Sequence, residues 1–296
     1  MTIYIYIKKY FNILLELGKV RITFFVSMTT SLGYILFTGK IDVGIILPSI
    51  GVFLLASGAS CLNHLQEQKF DAAMERTKGR PLPSGRIDPL SALLLGINVI
   101  LVGSMFLYYS SNLDSLLLGW LAVIWYNIFY TPLKRKFALA VVPGALIGAI
   151  PPVIGWTAGG GNPFATKILI VALFFFIWQV PHFWLLLLMH GKDYEQAGFP
   201  TLTKVFSSFQ VSRITFVWIV ALAFSCILIP LTDISSQPYT PVLLFLLALW
   251  LIFESRGILT TYIEKVMLRK AFIRINIFVL LVVLLISIDK LILIEF

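Results

Sequence analysis

Long apolar runs separated by short polar segments dominate the hydrophobic pattern of this chain. A helix that crosses a membrane needs about 20 mostly apolar residues. Nine segments meet that requirement, near residues 20–38, 43–62, 89–109, 114–131, 138–157, 168–189, 214–232, 239–253 and 271–288. The pattern therefore predicts an all-α integral membrane protein, built as a bundle of nine transmembrane helices.

The amino-acid composition excludes classes of protein other than membrane proteins. Of the 296 residues, 59% are hydrophobic and 12% are charged, whereas an average soluble chain carries about 25% charged residues. A soluble domain, a disordered chain, a coiled coil and a small disulfide scaffold are all excluded. The two cysteines lie inside apolar runs, where a thiol behaves as a small hydrophobe. Without repeats or low-complexity linkers, residues 1–296 form one predicted membrane domain.

The distribution of basic residues predicts the topology. Of 23 lysines and arginines, 20 lie in residues 1–21, in 63–88, at 134–136, in 190–213 or in 254–274, and the other three lie in the alternate segments. By the positive-inside rule the first set is cytoplasmic, so the N-terminus is inside and the C-terminus outside. In a membrane protein the net charge of +9 reports topology, and it does not predict nucleic-acid binding.

The N-terminal segment 1–19 is amphipathic, aromatic and basic, with no small-residue cleavage site. It is typical of an interfacial helix that leads into the first span. The turn-forming sequence at residues 159–163 lies on the predicted external side.

Scarce polar residues mark two cytoplasmic loops, 63–88 and 190–213, as the predicted active-site loops. The first continues the second span without a helix breaker until Gly79. Asn63, Glu67 and Asp71 follow at intervals of four residues, so a helix presents all three on one face. Asp193 lies in the second loop. Hard oxygen ligands of this kind suit Mg²⁺ shared between the protein and a substrate phosphate.

Basic residues surround these acids in the sequence and make a polyanion such as diphosphate a candidate ligand. Mixed charges also occur in cytoplasmic loops that only stay hydrated, and the basic run 134–136 also fits a topology anchor. The cations near the acids are Arg76, Arg80, Lys134, Arg135 and Lys192.

Four longer sequence motifs give more information than the spacing of single residues. They are Asn63-x3-Glu67-x3-Asp71 with Met74-Glu75-Arg76-Thr77-x2-Arg80-Pro81-Leu82, then Tyr130-Thr131-Pro132-Leu133-Lys134-Arg135, then Gly144-x3-Gly148-Ala149-x-Pro151-Pro152, and Trp178-Gln179-x-Pro181-His182-Phe183-Trp184 with Asp193-Tyr194. In this order they resemble the motifs of the intramembrane prenyltransferases of the UbiA type, in particular the branch that acts on protoheme IX. The family commonly has Asp where this chain has Glu67.

The resemblance implies that farnesyl diphosphate and heme B are the substrates and that heme O is the product, after water addition. It implies a Mg²⁺ cofactor and a catalytic, metal-holding set of Asn63, Glu67, Asp71 and Asp193. The substrate-binding residues that it implies are Arg76, Arg80, Lys134, Arg135, Lys192, His182 and Gln179. His182 fits either a contact to the haem iron or a propionate, or a buried structural histidine.

The resemblance also implies a bacterial cytoplasmic membrane as the location, with the active site on the cytoplasmic side. Heme A synthase or assembly proteins of a haem-copper oxidase are then the expected protein partners. We also expect Pro151 and Pro152 to kink the fifth span and widen the centre of the bundle.

Three alternative functions stay open at this point. A sister enzyme that prenylates a quinone precursor or chlorophyllide would share the metal residues without the Pro181-His182-Phe183 string. A secondary transporter would show repeat symmetry and carboxylates near the midplane. An oxidase assembly factor would leave the acidic loops without a role.

Overall fold

The computed structural model describes residues 2–110, 112–232, 234, 237–260 and 264–292. Helices account for the regular structure in these residues, and no strand occurs among them. The α-helices, in chain order, are α1 (Thr2–Leu17), α2 (Val20–Thr38), α3 (Ile46–Ala73), α4 (Pro89–Ser110), α5 (Leu113–Ile124), α6 (Thr131–Leu133), α7 (Val141–Gly144), α8 (Leu146–Ala158), α9 (Thr166–Gln196), α10 (Ser208–Ile227), α11 (Tyr239–Ser255) and α12 (Lys265–Leu291).

The predicted nine spans are confirmed. Over the described ranges, nine helical segments are long and apolar enough to cross a membrane. Several are longer than the apolar pattern indicates, and two of these extensions enter the predicted active-site loops, because α3 continues to Ala73 and α9 continues to Gln196. The first residues of both predicted cytoplasmic loops are therefore helical extensions of spans.

The prediction that the second span stays helical until Gly79 is wrong. Helix α3 ends at Ala73, since Met74 is in an extended conformation. The hydroxyl of Thr77 then donates to the carbonyl oxygen of Asp71 at 2.9 Å, which satisfies one of the last carbonyls of the helix. A series of turns follows as far as the start of α4.

The fourth and fifth spans are both interrupted. Residues Trp125–Tyr130 form a π-helix between α5 and α6. In the fifth span the interruption lies at Ala145, between α7 and α8, whereas Pro151 and Pro152 lie within α8. The interruption thus lies six residues before Pro151, and not at the two prolines where the kink was predicted.

Helix α8 lies at the centre of the bundle and contributes to two apolar clusters. One cluster combines α2 and α8 with α9–α12, and the other combines α3, α4, α5 and α8. Lipid is as apolar as these side chains, so the helices associate through close packing, which small residues permit.

Glycines bring the backbones of α2 and α8 together. A Cβ atom at Gly33 would lie 1.8 Å from the carbonyl oxygen of Pro152, and one at Gly155 would lie 1.8 Å from that of Thr30. Both obstacles are backbone atoms, which cannot rotate away. Only glycine fits at these two crossings.

The N-terminal segment is helical, as predicted, and its placement at the membrane interface stays a prediction. Ile13 and Leu17 are buried against α3 and the start of α4. Glu16 accepts hydrogen bonds from Arg86 at 3.1 and 2.5 Å, and this contact raises the pKa of Arg86 above its ordinary value. Helix α1 is thus tied to the turns that follow α3.

The glycine crossing predicts a loss of stability in Gly155→Ala. Overpacking costs about 1–3 kcal/mol, which outweighs the helix propensity gained by replacing glycine. The measurement is the free energy of unfolding in detergent. Gly257→Ala is the control, because a Cβ at Gly257 meets no atom of the described part of the chain within 4 Å. Equal stability of the two variants would contradict the crossing.

Candidate active site

A cavity of about 610 Å³ lies inside the bundle. Its walls are mostly apolar along the spans, and charged side chains gather where α3 extends beyond its apolar run. The cavity is therefore amphiphilic, with one charged end and a long hydrophobic interior.

Helix α3 presents the predicted polar face at the charged end. Asn63, Glu67 and Asp71 all line the cavity and all are buried, with Asp71 only 1% exposed. The i, i+4, i+8 spacing thus brings the three together, as predicted. Burial of two carboxylates requires partners for both.

Each of these three side chains has a cationic partner from another segment. Lys134 Nζ lies 2.6 Å from Glu67 Oε1. Arg80 Nη1 lies 2.8 Å from both oxygens of Asp71. Lys19 Nζ donates to Asn63 Oδ1 at 3.0 Å. Arg80 and Lys134 therefore lie where the sequence places them, beside the acids.

The charges of this cluster do not balance. Glu67 and Asp71 neutralise Lys134 and Arg80, whereas the partner of Lys19 is a neutral amide. Lys19 therefore adds a positive charge that no carboxylate of the described residues pairs with at the end of an apolar cavity. Such a site favours an anionic ligand.

Lys19 is a site residue that the sequence analysis missed. It precedes α2 with φ 46° and ψ 47°, and it is the one non-glycine residue with positive φ in the described ranges. Burial, Lys134 and Arg80 lower its pKa to about 8. A lysine next to an apolar span was the available signal, but the sequence analysis used it only for topology.

His64 was also missed as a member of the charged end. It is 2% exposed and lines the cavity beside Asn63. Its Nδ1 lies 3.8 Å from Asp71 Oδ2, beyond hydrogen-bond distance. Its position at the end of an apolar run made a hydrated imidazole equally plausible from sequence.

The π-helix supplies an aromatic wall. Tyr126 and Tyr130 both line the cavity, with ring centroids 6.0 Å apart and planes inclined by 20°. A wider helical turn brings residues four positions apart closer to the same direction, and π-helical segments often occur at functional sites. The hydroxyl of Thr131, which follows, accepts a hydrogen bond from Asn63 Nδ2 at 3.1 Å.

Two further predicted residues line the cavity. Arg76 donates to the Tyr194 hydroxyl at 3.4 Å near the charged end. Gln179 lies deeper, directly over Gly148, where a Cβ atom would come within 2.0 Å of its Nε2. A polar amide is thus present in an otherwise apolar part of the cavity.

The structure does not bring Asp193 and Lys192 to the cavity wall. Because α9 stays helical through Gln196, Asp193 is about 100° around the helix from its neighbour Tyr194, which does line the cavity. Lys192 is exposed. Glu195, which the sequence analysis did not choose, accepts from Thr201 and Thr203 at 2.8 and 2.6 Å and holds the following turn.

His182 and Arg135 also lie outside the cavity lining. His182 faces α12, where its Nδ1 is 3.0 Å from Asn276 Oδ1 and its ring packs on Phe272. Arg135 contacts the carbonyl oxygen of Gln66 and lies over the ring of Phe70. Both contacts are structural, so the substrate roles predicted for these two residues have no support in this geometry.

The donors of the charged end fit a divalent cation of the Mg²⁺ type. Asn63, Glu67 and Asp71 offer hard oxygen ligands on one helix face, which Mg²⁺ prefers. Three or more His, Cys, Asp and Glu side chains do not cluster at metal-binding distance anywhere in the described ranges. The protein thus offers a partial ligand set, to be completed by substrate phosphate and water.

Sequence comparison identifies the family. The sequence model of the UbiA prenyltransferase family matches residues 26–282. A protoheme IX farnesyltransferase from Geobacter sulfurreducens is 43% identical over 64% of this chain and 70% of its own. One from Nitratidesulfovibrio vulgaris is 37% identical over 71% and 73%. One from Oleidesulfovibrio alaskensis is 29% identical over 94% and 96%.

Solved structures share the fold. The structure of a digeranylgeranylglyceryl phosphate synthase superposes with a TM-score of 0.77 at 16% identity, over 96% of this chain and 99% of that one. A UbiA homologue from Archaeoglobus fulgidus, bound to DMAPP and Mg²⁺, superposes with a TM-score of 0.68 at 15% identity, over 93% and 99%. At this identity the likeness is one of fold.

The buried pairs predict a measurable coupling between Glu67 and Lys134. In a double-mutant cycle with Glu67→Gln and Lys134→Met, we expect a coupling energy of about 1–3 kcal/mol, because neither charge is well hydrated when alone. The measurement is the free energy of unfolding of the four proteins in detergent.

The control is the exposed pair of Glu75 and Lys78. It has the same 2.6 Å separation, with side chains 79% and 57% exposed. Its coupling should be at most about 0.5 kcal/mol, since water screens such pairs. Equal coupling of the two pairs would show that the cavity end is as hydrated as the surface.

Proposed function

The chain belongs to the UbiA prenyltransferase family, and on this premise we propose that it transfers the farnesyl group of farnesyl diphosphate to a vinyl group of heme B, giving heme O and diphosphate. It is a multi-pass membrane enzyme of the prenyltransferase class. The transporter and assembly-factor alternatives therefore fall.

One observation supports the proposal above the others: a single cavity joins a charged end to a long apolar interior. A prenyl diphosphate has the same two parts. Val52 and Asn63, both in the lining, are eleven residues apart on α3, or about 16 Å along the helix. That length accommodates an extended chain of a few isoprene units between the charged end and the bottom of the cavity.

The cations of the charged end bind the diphosphate in this proposal. Lys19 has no acidic partner, and Arg80 and Lys134 already lie in the cavity beside carboxylates. When the substrate arrives, these cations turn from the carboxylates to the phosphate oxygens. Asn63, Glu67 and Asp71 are then free to hold Mg²⁺, which neutralises charge on the leaving diphosphate when bound. A neighbour of the same fold is bound to DMAPP and Mg²⁺, which supports a prenyl diphosphate and Mg²⁺ as the ligands.

Ionisation breaks the bond between the allylic carbon and the diphosphate oxygen, and the electron pair leaves with the diphosphate. Lys19, Arg80 and Lys134 stabilise the growing negative charge on the leaving group. The rings of Tyr126 and Tyr130 face the cavity just inside the charged end, where their π-electrons stabilise the allylic cation. The apolar walls keep water from capturing it.

The acceptor step consumes the cation. The π-pair of the haem vinyl group forms the new carbon–carbon bond, water adds to the resulting haem-side cation, and a proton is released. Gln179, partly buried over Gly148, is positioned to hydrogen-bond a polar group of the acceptor. Relatives named protoheme IX farnesyltransferase support haem as the acceptor.

A quinone precursor or chlorophyllide stays the second candidate acceptor, because His182 does not line the cavity. His182, which the sequence analysis linked to haem, thus gives no geometric support for haem as the acceptor. The names of the relatives alone favour haem, and an acceptor assay decides between the two.

Topology and location are part of the proposal. The charge asymmetry favours a cytoplasmic N-terminus, an external C-terminus and an active site on the cytoplasmic side. We expect a bacterial cytoplasmic membrane, with heme A synthase or oxidase assembly proteins as partners of the product.

The test is a membrane assay with heme B, farnesyl diphosphate and Mg²⁺, with and without a chelator. Haem products are separated by chromatography and identified by mass. We expect heme O only in the samples without chelator. Unmodified haem together with prenylation of an aromatic acceptor would overturn the acceptor assignment and leave the prenyltransferase in place.

Asp71→Asn should lower turnover about 100-fold or more, the usual effect of removing one electrostatic contact to a transition state. Glu75→Gln is the matched control, because Glu75 lies four residues further on and its side chain is 79% exposed. Gel filtration and thermal unfolding check that both variants are folded. Unchanged turnover in Asp71→Asn would remove Asp71 from the site.

Gly119 tests where the prenyl chain lies. A Cβ atom there would be 2.8 Å from methyl groups of Leu55 and Leu107, and Leu55 lines the cavity. Gly119→Val therefore pushes Leu55 into the cavity and shortens it. We expect the ratio of turnover with farnesyl to that with geranyl diphosphate to fall about tenfold, the usual effect of pocket size. An unchanged ratio would mean that the chain lies elsewhere.

A further inference from the structure

His64 is a buried polar side chain of the charged end that the proposed mechanism leaves unused. It is 2% exposed, yet neither ring nitrogen has a hydrogen-bond partner among the residues that the structure describes. The partners of its neighbours are all assigned: Asn63 binds Lys19 and Thr131, Glu67 binds Lys134, and Asp71 binds Arg80.

Leaving a buried polar group without a partner is costly, commonly about 1–3 kcal/mol. Leucine or phenylalanine at position 64 would fill a buried site at no such cost. An unsatisfied buried group in a functional cavity therefore indicates a ligand that binds there.

The position of the ring indicates which ligand. His64, Glu67 and Asp71 follow at i, i+3 and i+7, so the imidazole lies on the same helix face as both carboxylates. Its Nδ1 is 3.8 Å from Asp71 Oδ2. No protein hydrogen bond holds the ring nitrogens, so each is available to a ligand that Asp71 also holds.

We propose that His64 supplies a ring-nitrogen ligand to the divalent cation held by Asp71, an inference that rests on the metal-dependent mechanism proposed above. The site then has mixed nitrogen and oxygen donors. An imidazole ligand strengthens binding of transition-metal ions relative to Mg²⁺, which prefers oxygen. This chain should therefore bind Mn²⁺ with more discrimination over Mg²⁺ than an all-oxygen site.

Electron spin-echo spectroscopy of Mn²⁺ tests the proposal, because a directly bound imidazole nitrogen modulates the echo. The probe is Mn²⁺ with inorganic pyrophosphate, added to the full chain in detergent and purified without a histidine tag. The variant is His64→Gln, which keeps the length and polarity of the side chain. His190→Gln is the control, since His190 lies outside the cavity lining.

We expect nitrogen modulation in the wild-type protein and in His190→Gln, and none in His64→Gln. We also expect His64→Gln to bind Mn²⁺ at least about tenfold more weakly, because even outer-shell changes commonly cost 10–100-fold. The affinity for Mg²⁺ should fall less.

Bound Mn²⁺ without nitrogen modulation in the wild-type protein would overturn the inference and leave the proposed function intact. Modulation that persists in His64→Gln would also overturn it. A wild-type protein that binds no Mn²⁺ with pyrophosphate would instead contradict the metal dependence of the proposed function.

Discussion

Mutual neutralisation of buried charges is the constraint on which this structure depends. Two carboxylates and three cations lie at the end of a cavity inside an apolar bundle, where an isolated charge would cost several kcal/mol. Lys134, which follows α6, reaches Glu67, and Arg80, in the turns after α3, reaches back to Asp71. The extension of α3 to Ala73 is what places the acids within their reach. The charged end is thus a set of ion pairs that can exchange partners with a charged ligand.

The sequence was sufficient for the features that follow from local periodicity. Apolar runs gave the nine spans, and spacing by four gave the face of Asn63, Glu67 and Asp71. Features that depend on helix phase or on distant contacts were not accessible. Because α9 stays helical, Asp193 lies on a different side of the helix from Tyr194 and outside the cavity wall. Asn276 on α12 forms a hydrogen bond with His182. Lys19 and His64 could be assigned to the site only from the fold, which places both in the cavity lining.

The helical interruptions link the fold to the chemistry. The π-helix between α5 and α6 directs Tyr126 and Tyr130 into the cavity, and the break at Ala145 lies in the span whose Gly148 supports Gln179. Irregular backbone inside a membrane is tolerated only where protein or a polar cavity satisfies it. The glycine crossing of α2 and α8 joins two helices that both contribute to the cavity lining. The glycine crossing thus holds two helices together, whereas the irregular segments place side chains in the cavity.

The backbone at Lys19 shows how the chain trades stability for function. A left-handed conformation costs a lysine about 1–2 kcal/mol relative to glycine, and the ammonium it carries lies in the cavity among other cations. Glycine at this position would relax the turn before α2 and remove the repulsion. The protein would then be more stable and would lose its unpaired positive charge. Directed selection for thermostability alone is therefore expected to replace Lys19 with glycine at an early stage, and the site would lose this ammonium group.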